Sequence, residues 1–527
     1  MVGASTFSPC EFAGSPPLSP HCCLRLRRPT FPPKAPIIGA PTGSTDEQGG
    51  DGTIDTTTPL WNTSSTSSAT LAVWTSGKHA VFGGTGGTIT SNNASLTTGN
   101  VTFKDTAYTL VGDLDLSITG NLTAEQFGSL TVKDTLTINA DLALYYGTLN
   151  VDGGSFSTSV NGYIGVDGSS NGRLNISNGG SASFVSNSVG TLASSYGFIT
   201  VDGKESTLTN SGNLYIGQNG YGELTIRNGA TATANNAYLG YEPGASGYVT
   251  VTGADSTFTV TNNLNVGNDA SGTAAGRGSL IVADGGKVSV NGGANHISLG
   301  STSSLRIGQD NSAAGTILAS YVTSGFYTSQ VLFDHNEADY IFSPALNGFL
   351  AVAHSGSGTT TLAAGNGYSG GTTISFGTLR LGVSQSMGSS VGDLTLDGGT
   401  LDLNGFSQTS NLLYVTSDSI IDFSGTSSLT FSNSSALGWT GLLTILNFGA
   451  GDTFRVGTNS SGLTSEQLNR ILIGGFYAQI DSLGYITAGA ISAVPEPSTY
   501  AMIFGLGALG FSAWRKRRAF APSKRHD

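Results

Sequence analysis

Apolar and polar positions alternate in a short phrase that recurs from Gly147 to Gly285: glycine, any residue, aliphatic, any residue, aliphatic. It reads Gly147-Thr148-Leu149-Asn150-Val151, then Gly172 with Leu174 and Ile176, Gly197 with Ile199 and Val201, and Gly222 with Leu224 and Ile226. Gly247 with Val249 and Val251, and Gly278 with Leu280 and Val282, complete the series. The glycines are 25, 25, 25, 25 and 31 residues apart, and the long last step places an insertion at 270–275. A period of two is that of a strand with one buried face. Each phrase then runs into Asp-Gly or Asn-Gly in all but one unit, such as Asp152-Gly153 and Asn178-Gly179, where positive φ is tolerated and the strand stops. A second phrase, Tyr163-Ile164-Gly165, returns as Tyr215-Ile216-Gly217 and Tyr238-Leu239-Gly240, so each unit holds at least two strands.

A strand-rich unit repeated at this length predicts one coil of a solenoid. One coil cannot enclose a core, but stacked coils bring Leu149, Leu174, Ile199, Leu224, Val249 and Leu280 into a single inward column. Asn150, Asn175, Thr200, Thr225 and Thr250 then form a polar ladder outside. The predicted fold is all-β, a right-handed parallel β-helix, and the repeat resembles those of autotransporter-type and PEP-CTERM-associated surface proteins. The pattern divides the chain into a disordered start at 1–52, a cap with first coils at 53–146 and the regular coils at 147–300. Continuing coils follow at 301–490, and a tail at 494–518.

Composition adds what the body excludes. Lys and Arg total 22, with four before residue 41 and six after residue 514; Asp and Glu total 34, two of them in those ends. The remainder is left with a net charge of −20, which repels nucleic acid. The three cysteines, Cys10, Cys22 and Cys23, give no disulfide framework and no zinc spacing, and no cofactor is expected. The Asp-Gly corners recur only once per coil, which favours a turn role over calcium.

Residues 1–50 are rich in proline and show no basic start, apolar run and cleavage site of a secretory signal, so the start is expected to be misassigned or the leader atypical. Trp61 and Trp74 could close the open end of the core. From Thr53, Ala80-Val81-Phe82-Gly83 and Tyr108-Thr109-Leu110 resemble the opening of autotransporter-type passenger domains.

The densest group of reactive side chains is Asp334-His335-Asn336-Glu337-Ala338-Asp339. Two carboxylates can serve glycoside hydrolysis at the right separation. Asp334, Glu337 and Asp339 are the candidates for a polysaccharide-active enzyme. Against this, no Lys or Arg lies between Gln309 and Leu379, and His335 reads as a hydrogen-bonded turn residue. The nearby Val331 to Phe342 resembles a structural segment of passenger-like proteins. Thr359 to Leu381, with Asn366, Tyr368, Gly370-Gly371-Thr372 and Gly377-Thr378-Leu379, resembles the autotransporter-associated β-strand repeat.

Near the end, Thr464 is suited to cap a short helix through Glu466 and Gln467, with Leu468, Ile471 and Leu472 docking on the last coil. Pro495-Glu496-Pro497 then precedes an apolar run from Tyr500 to Trp514, containing Ala501, Met502, Ile503, Phe504, Leu506, Leu509 and Phe511. Fifteen residues make a helix of about 22 Å, short for a bilayer core of about 30 Å. The basic cluster Arg515-Lys516-Arg517-Arg518 favours a cytoplasmic end. Motif, apolar helix and basic end together resemble the PEP-CTERM sorting signal. The resemblance implies recognition of Pro495, Glu496 and Pro497 by an exosortase-type membrane protease, with Arg515 to Arg518 stopping translocation. The chain would sit in the inner membrane as a precursor, then reach the cell surface or matrix after cleavage. Extracellular polysaccharide or other surface proteins are the further partners expected. The leading reading is a non-enzymatic surface or matrix protein. An ice-binding β-helix is a third alternative, but its flat Thr-rich face is here mixed with Asn, Arg and Tyr.

Overall fold

The computed structural model describes residues 37–38, 50–55, 57, 61–62, 71–104, 106–125, 127–267, 276–325 and 329–489. Most of the start at 1–52 (all but 37–38 and 50–52), the 270–275 insertion, and the tail with its sorting motif, apolar run and basic cluster lie outside the described residues. Ile37–Ile38 pairs parallel with Ala80–Val81 and Gly52 opens a strand, so those residues are not disordered as expected.

The body is a three-sided solenoid of parallel strands. The first face is a 16-stranded sheet from Gly52–Ile54 to Leu413–Ser417. The second is a 10-stranded sheet from Ala94–Thr98 to Thr316–Leu318, followed by a 9-stranded one that begins at Tyr340–Phe342. The third is a 14-stranded sheet ending at Gly367–Tyr368, with three more strands from Ser407–Ser410 onward. A coil takes one strand from each face in turn, as in Thr148–Asp152, Ser155–Thr158 and Asn161–Ile164.

The glycine phrase is the first face. Leu149 pairs with Leu174, Leu174 with Ile199, and so on through Leu224 and Val249 to Leu280, without a slip of register. All six are at most 2% exposed. Burying each is worth about 1.5–3 kcal/mol, and only the coils above and below supply the cover. On the second face the inward column alternates in size, Phe156, Ala182, Leu208, Ala232 and Phe258, so large rings fill the space small neighbours leave. Outside, Asn150, Asn175, Thr200, Thr225 and Thr250 align as a ladder, and Asn175 Nδ2 donates to Asn150 Oδ1 at 2.9 Å.

Corner glycines hold the coils this close. Gly217 has φ +71°, and a Cβ there would stand 2.1 Å from the Ser246 carbonyl oxygen of the next coil. Any side chain would push two coils apart. At the N-terminal end the buried Trp74 donates from Nε1 to Thr97 O at 3.2 Å, while Trp61 lies in a two-residue strand antiparallel to Leu71–Ala72.

The other end is closed differently from the sequence expectation. The helix is a single turn, Ser465–Leu468, with Thr464 and Gln467 forming a reciprocal capping box. Gln467 Nε2 donates to Ser434 O and Leu437 O, both at 2.9 Å, which fastens the turn to the coil beneath. Ile471 and Leu472 are not helical. They belong to strand Ile471–Ile473, which turns antiparallel into Phe476–Ile480 and Ile486–Ala488. The two glycines Gly474 and Gly475, at φ +58° and +88°, allow that reversal. The hairpin takes up the edge that a further coil would otherwise pair with.

Candidate functional site

The Asp334 cluster sits where the regular register breaks. Strand Ser304–Ser312 is nine residues long, and its pairing with Gln330–His335 shifts between Ile307 and Ser312. Asp310 and Asn311 there adopt φ +53° and +61°. The bulge lets Arg306, one coil back, reach Asp334. Arg306 also contacts Asp310 at 3.2 Å, and the Asp310 N–H donates to Asp334 Oδ2 at 3.0 Å. Burial alone would raise the Asp334 carboxyl; the Arg306 guanidinium and backbone N–H groups outweigh it and hold the group below the ordinary carboxylate range. A glycosidase acid needs the opposite shift.

His335 is not a lone turn residue. It is fully buried, and its neighbour on the next coil, His354, is buried with it, their rings 5.8 Å apart. His335 Nδ1 accepts from the Glu337 N–H at 3.2 Å, so Nε2 carries the proton and donates to Thr360 Oγ1 at 2.7 Å. His354 Nδ1 donates to Phe376 O at 2.9 Å, which leaves a buried Nε2 without a hydrogen-bond partner. Burial pushes His335 down to about 4, and His354 adds to the shift. Burial also lowers His354. Two neutral imidazoles are therefore built into the core beside Tyr340, whose hydroxyl donates to Gly315 O at 2.9 Å.

Glu337 and Asp339 are exposed. Asp339 meets Arg380 at 3.3 Å, and Arg380 reaches on to Asp402 at 2.7 Å. The basic partners that the stretch from Gln309 to Leu379 lacks are thus supplied by Arg306, one coil back, and Arg380, two coils on. Sequence reading confined to a local window missed them; a register drawn across coils would have found them. Among the described residues no group of three or more His, Cys, Asp or Glu side chains is placed to hold a metal ion.

In the Thr359 to Leu381 repeat, Asn366 and Tyr368 fasten neighbouring windings. Asn366 Oδ1 accepts from the Leu346 N–H at 2.7 Å, and its amide donates forward to Ser386 O, so one side chain clasps three coils. Tyr368 is buried and its hydroxyl meets Thr372 Oγ1 at 2.7 Å. These are fasteners of the winding.

Residues 493–518, directly after the closing hairpin in sequence, match the family model of the PEP-CTERM protein-sorting motif. An 88-residue stretch is 36% identical to the adhesin BmaC autotransporter of Brucella suis biovar 1 (strain 1330). That stretch is 17% of this chain and 2% of the adhesin, so the chain spans a very small part of that relative. No solved structure matches the chain. The chain therefore carries a PEP-CTERM sorting motif, has partial similarity to an autotransporter adhesin, and has a β-solenoid for its body. Such a tail marks an exported surface protein processed by an exosortase, a membrane protease. Among the described residues no helix is long and apolar enough to cross a membrane.

Proposed function

We propose that this is a non-enzymatic adhesive or structural protein of the cell surface or extracellular matrix. The sorting motif at 493–518, placed after a capped solenoid, is the observation that carries the reading. Pro495, Glu496 and Pro497 present the motif, the run from Tyr500 to Trp514 holds the precursor in the inner membrane, and Arg515 to Arg518 retain the end in the cytoplasm. Cleavage releases the solenoid, whose role is to bind or space surface polymers. The adhesin similarity supports the adhesive side, and Asp334, held as an ionised carboxylate against Arg306, does not support a glycoside-hydrolysing acid. Fractionation of cells with mass analysis of the tail tests this. The native chain is expected outside the inner membrane without its basic end. A Glu496→Gln chain is expected to stay in the membrane at full mass. Native chain found only in the cytoplasm, with its tail intact, refutes the proposal.

A further inference from the structure

A constant period conceals one local rearrangement. From Gly197 to Gly222 and from Gly222 to Gly247 the count is 25 residues, yet the coils spend those residues differently. The corner leading from the third face back to the first has six residues at 190–195 and six at 240–245, but only four at 217–220. The first of these coils makes up the difference with longer corners at 203–206 and 211–212. A short corner between two long ones leaves a notch. Its volume is about 420 Å³, and Ser194, Tyr196, Asn219, Tyr221, Pro243 and Ser246 line it. It is an open notch on the surface rather than an enclosed cavity.

Aromatic side chains are concentrated beside this notch. Tyr196 and Tyr221 have ring centroids 5.7 Å apart, Phe198 and Tyr221 5.8 Å, and Tyr221 and Tyr248 5.2 Å. Tyr196 is 49% exposed. The Tyr221 hydroxyl donates to Glu223 Oε2 at 3.1 Å, and burial with the nearby Glu223 pushes that phenol up to about 12, so it stays a neutral hydroxyl. Of the nearby cations, Arg173 stands 4.5 Å over the Phe198 ring, Arg227 is paired with Asp202 at 2.8 Å, and the exposed Arg277 pairs in register with Ser246 one coil beyond the notch. Among the described residues no cation lines the notch itself. An anionic ligand would meet an acidic body with only Arg277, one coil away, to offset it. What remains is an amphipathic surface of ring carbons, hydroxyls, an amide and one carboxylate acceptor. A pyranose, with apolar C–H faces and a rim of hydroxyls, is its chemical complement.

The geometry points to the Tyr196–Tyr221 notch as a binding subsite for hexose units of a neutral polysaccharide. This deepens the adhesive reading and rests on it only for where the polymer is met. The test is calorimetric titration of the full chain in detergent solution with neutral hexasaccharides of glucose, mannose and galactose. A polyuronate hexamer and choline serve as the anionic and cationic probes. At least one neutral hexasaccharide is expected to bind, and Tyr196→Ala to weaken it about tenfold. Inserting Gly-Ser after Asn219 gives this corner the six residues its neighbours already use. It is expected to fill the notch and abolish binding, with circular dichroism unchanged. Binding of no neutral hexasaccharide, preference for the polyuronate or choline, or unaltered affinity in the insertion variant overturns the proposal. Those results leave surface sorting untouched, whereas a glycan-binding chain that never leaves the cytoplasm would refute the adhesive reading alone.

Discussion

Coils 147–285 and coils 330–410 solve the same packing problem with different side chains. In the first set the interior is dominated by aliphatic columns, polar side chains such as Asn175 pair outside along the ladder, and one buried amide pair, Asn187 Nδ2 donating to Asn210 Oδ1 at 2.8 Å, interrupts the apolar interior. In the second the winding continues, but Asp334, His335, His354 and Gln408 are buried, with Asn366 at the same depth. Identical phrases specify register in the first set by repetition. The second has lost the repetition, and specific polar clasps stand in for it: Asn366 between Leu346 and Ser386, and Gln408 to the Met387 N–H at 3.0 Å. A buried polar group is costly unless partnered, so each clasp penalises every register but one. The lesson is that a solenoid can be fastened by sameness or by particular hydrogen bonds.

The two modes differ in what breaks them. Leu224→Ala removes one rung of an apolar column and is expected to cost about 2–5 kcal/mol, read from urea unfolding. Arg306→Ala removes a partner from outside the core, yet it is expected to cost about 3 kcal/mol because it strands the buried Asp334 carboxylate. A loss as small as that of an exposed ion pair would show that the clasp carries no register.

The buried imidazoles give a pH signature confined to the second set. His335 binds a proton less readily in the folded chain, near 4, than at its ordinary 6.5. Its contribution is therefore fully present above about 6.5 and is lost as pH falls toward about 4. Hydrogen exchange around His335 and Thr360 is expected to accelerate across that window, while coils 147–285 stay protected. His335→Gln is expected to flatten the dependence. The smallest effect belongs to the outer ladder: Asn175→Thr is expected to change stability by no more than about 0.5 kcal/mol, because Thr already occupies the next rungs.

The regular set was legible in the sequence because strand period, corner glycines and coil length all repeat. Leu149 through Leu280 take the inward positions the alternation assigns them. The Asp334 cluster was legible as a group of reactive residues but not as a structure. Its partners Arg306 and His354 lie on the adjacent coils and Arg380 two coils on, and no repeated phrase aligns those coils by eye. The short corner at 217–220 was hidden for the opposite reason, since the glycine spacing stays at 25 while residues move from one corner to another. At the closing end, Thr464 and Gln467 revealed the cap, but the apolar Ile471 and Leu472 suit helix and strand alike. The Gly474-Gly475 reversal decides for strand.

Stacking in register underlies the clasps, the notch and the surface role together. Spin labels at Asn150 and Thr250, with Cys10, Cys22 and Cys23 replaced by serine, measure it directly. The two positions are four rungs apart on one ladder. With about 4.8 Å per rung, the expected result is one narrow backbone separation of about 19 Å, allowing for the labels' own reach. A broad distribution, or a separation well beyond that reach, would contradict the stacked solenoid.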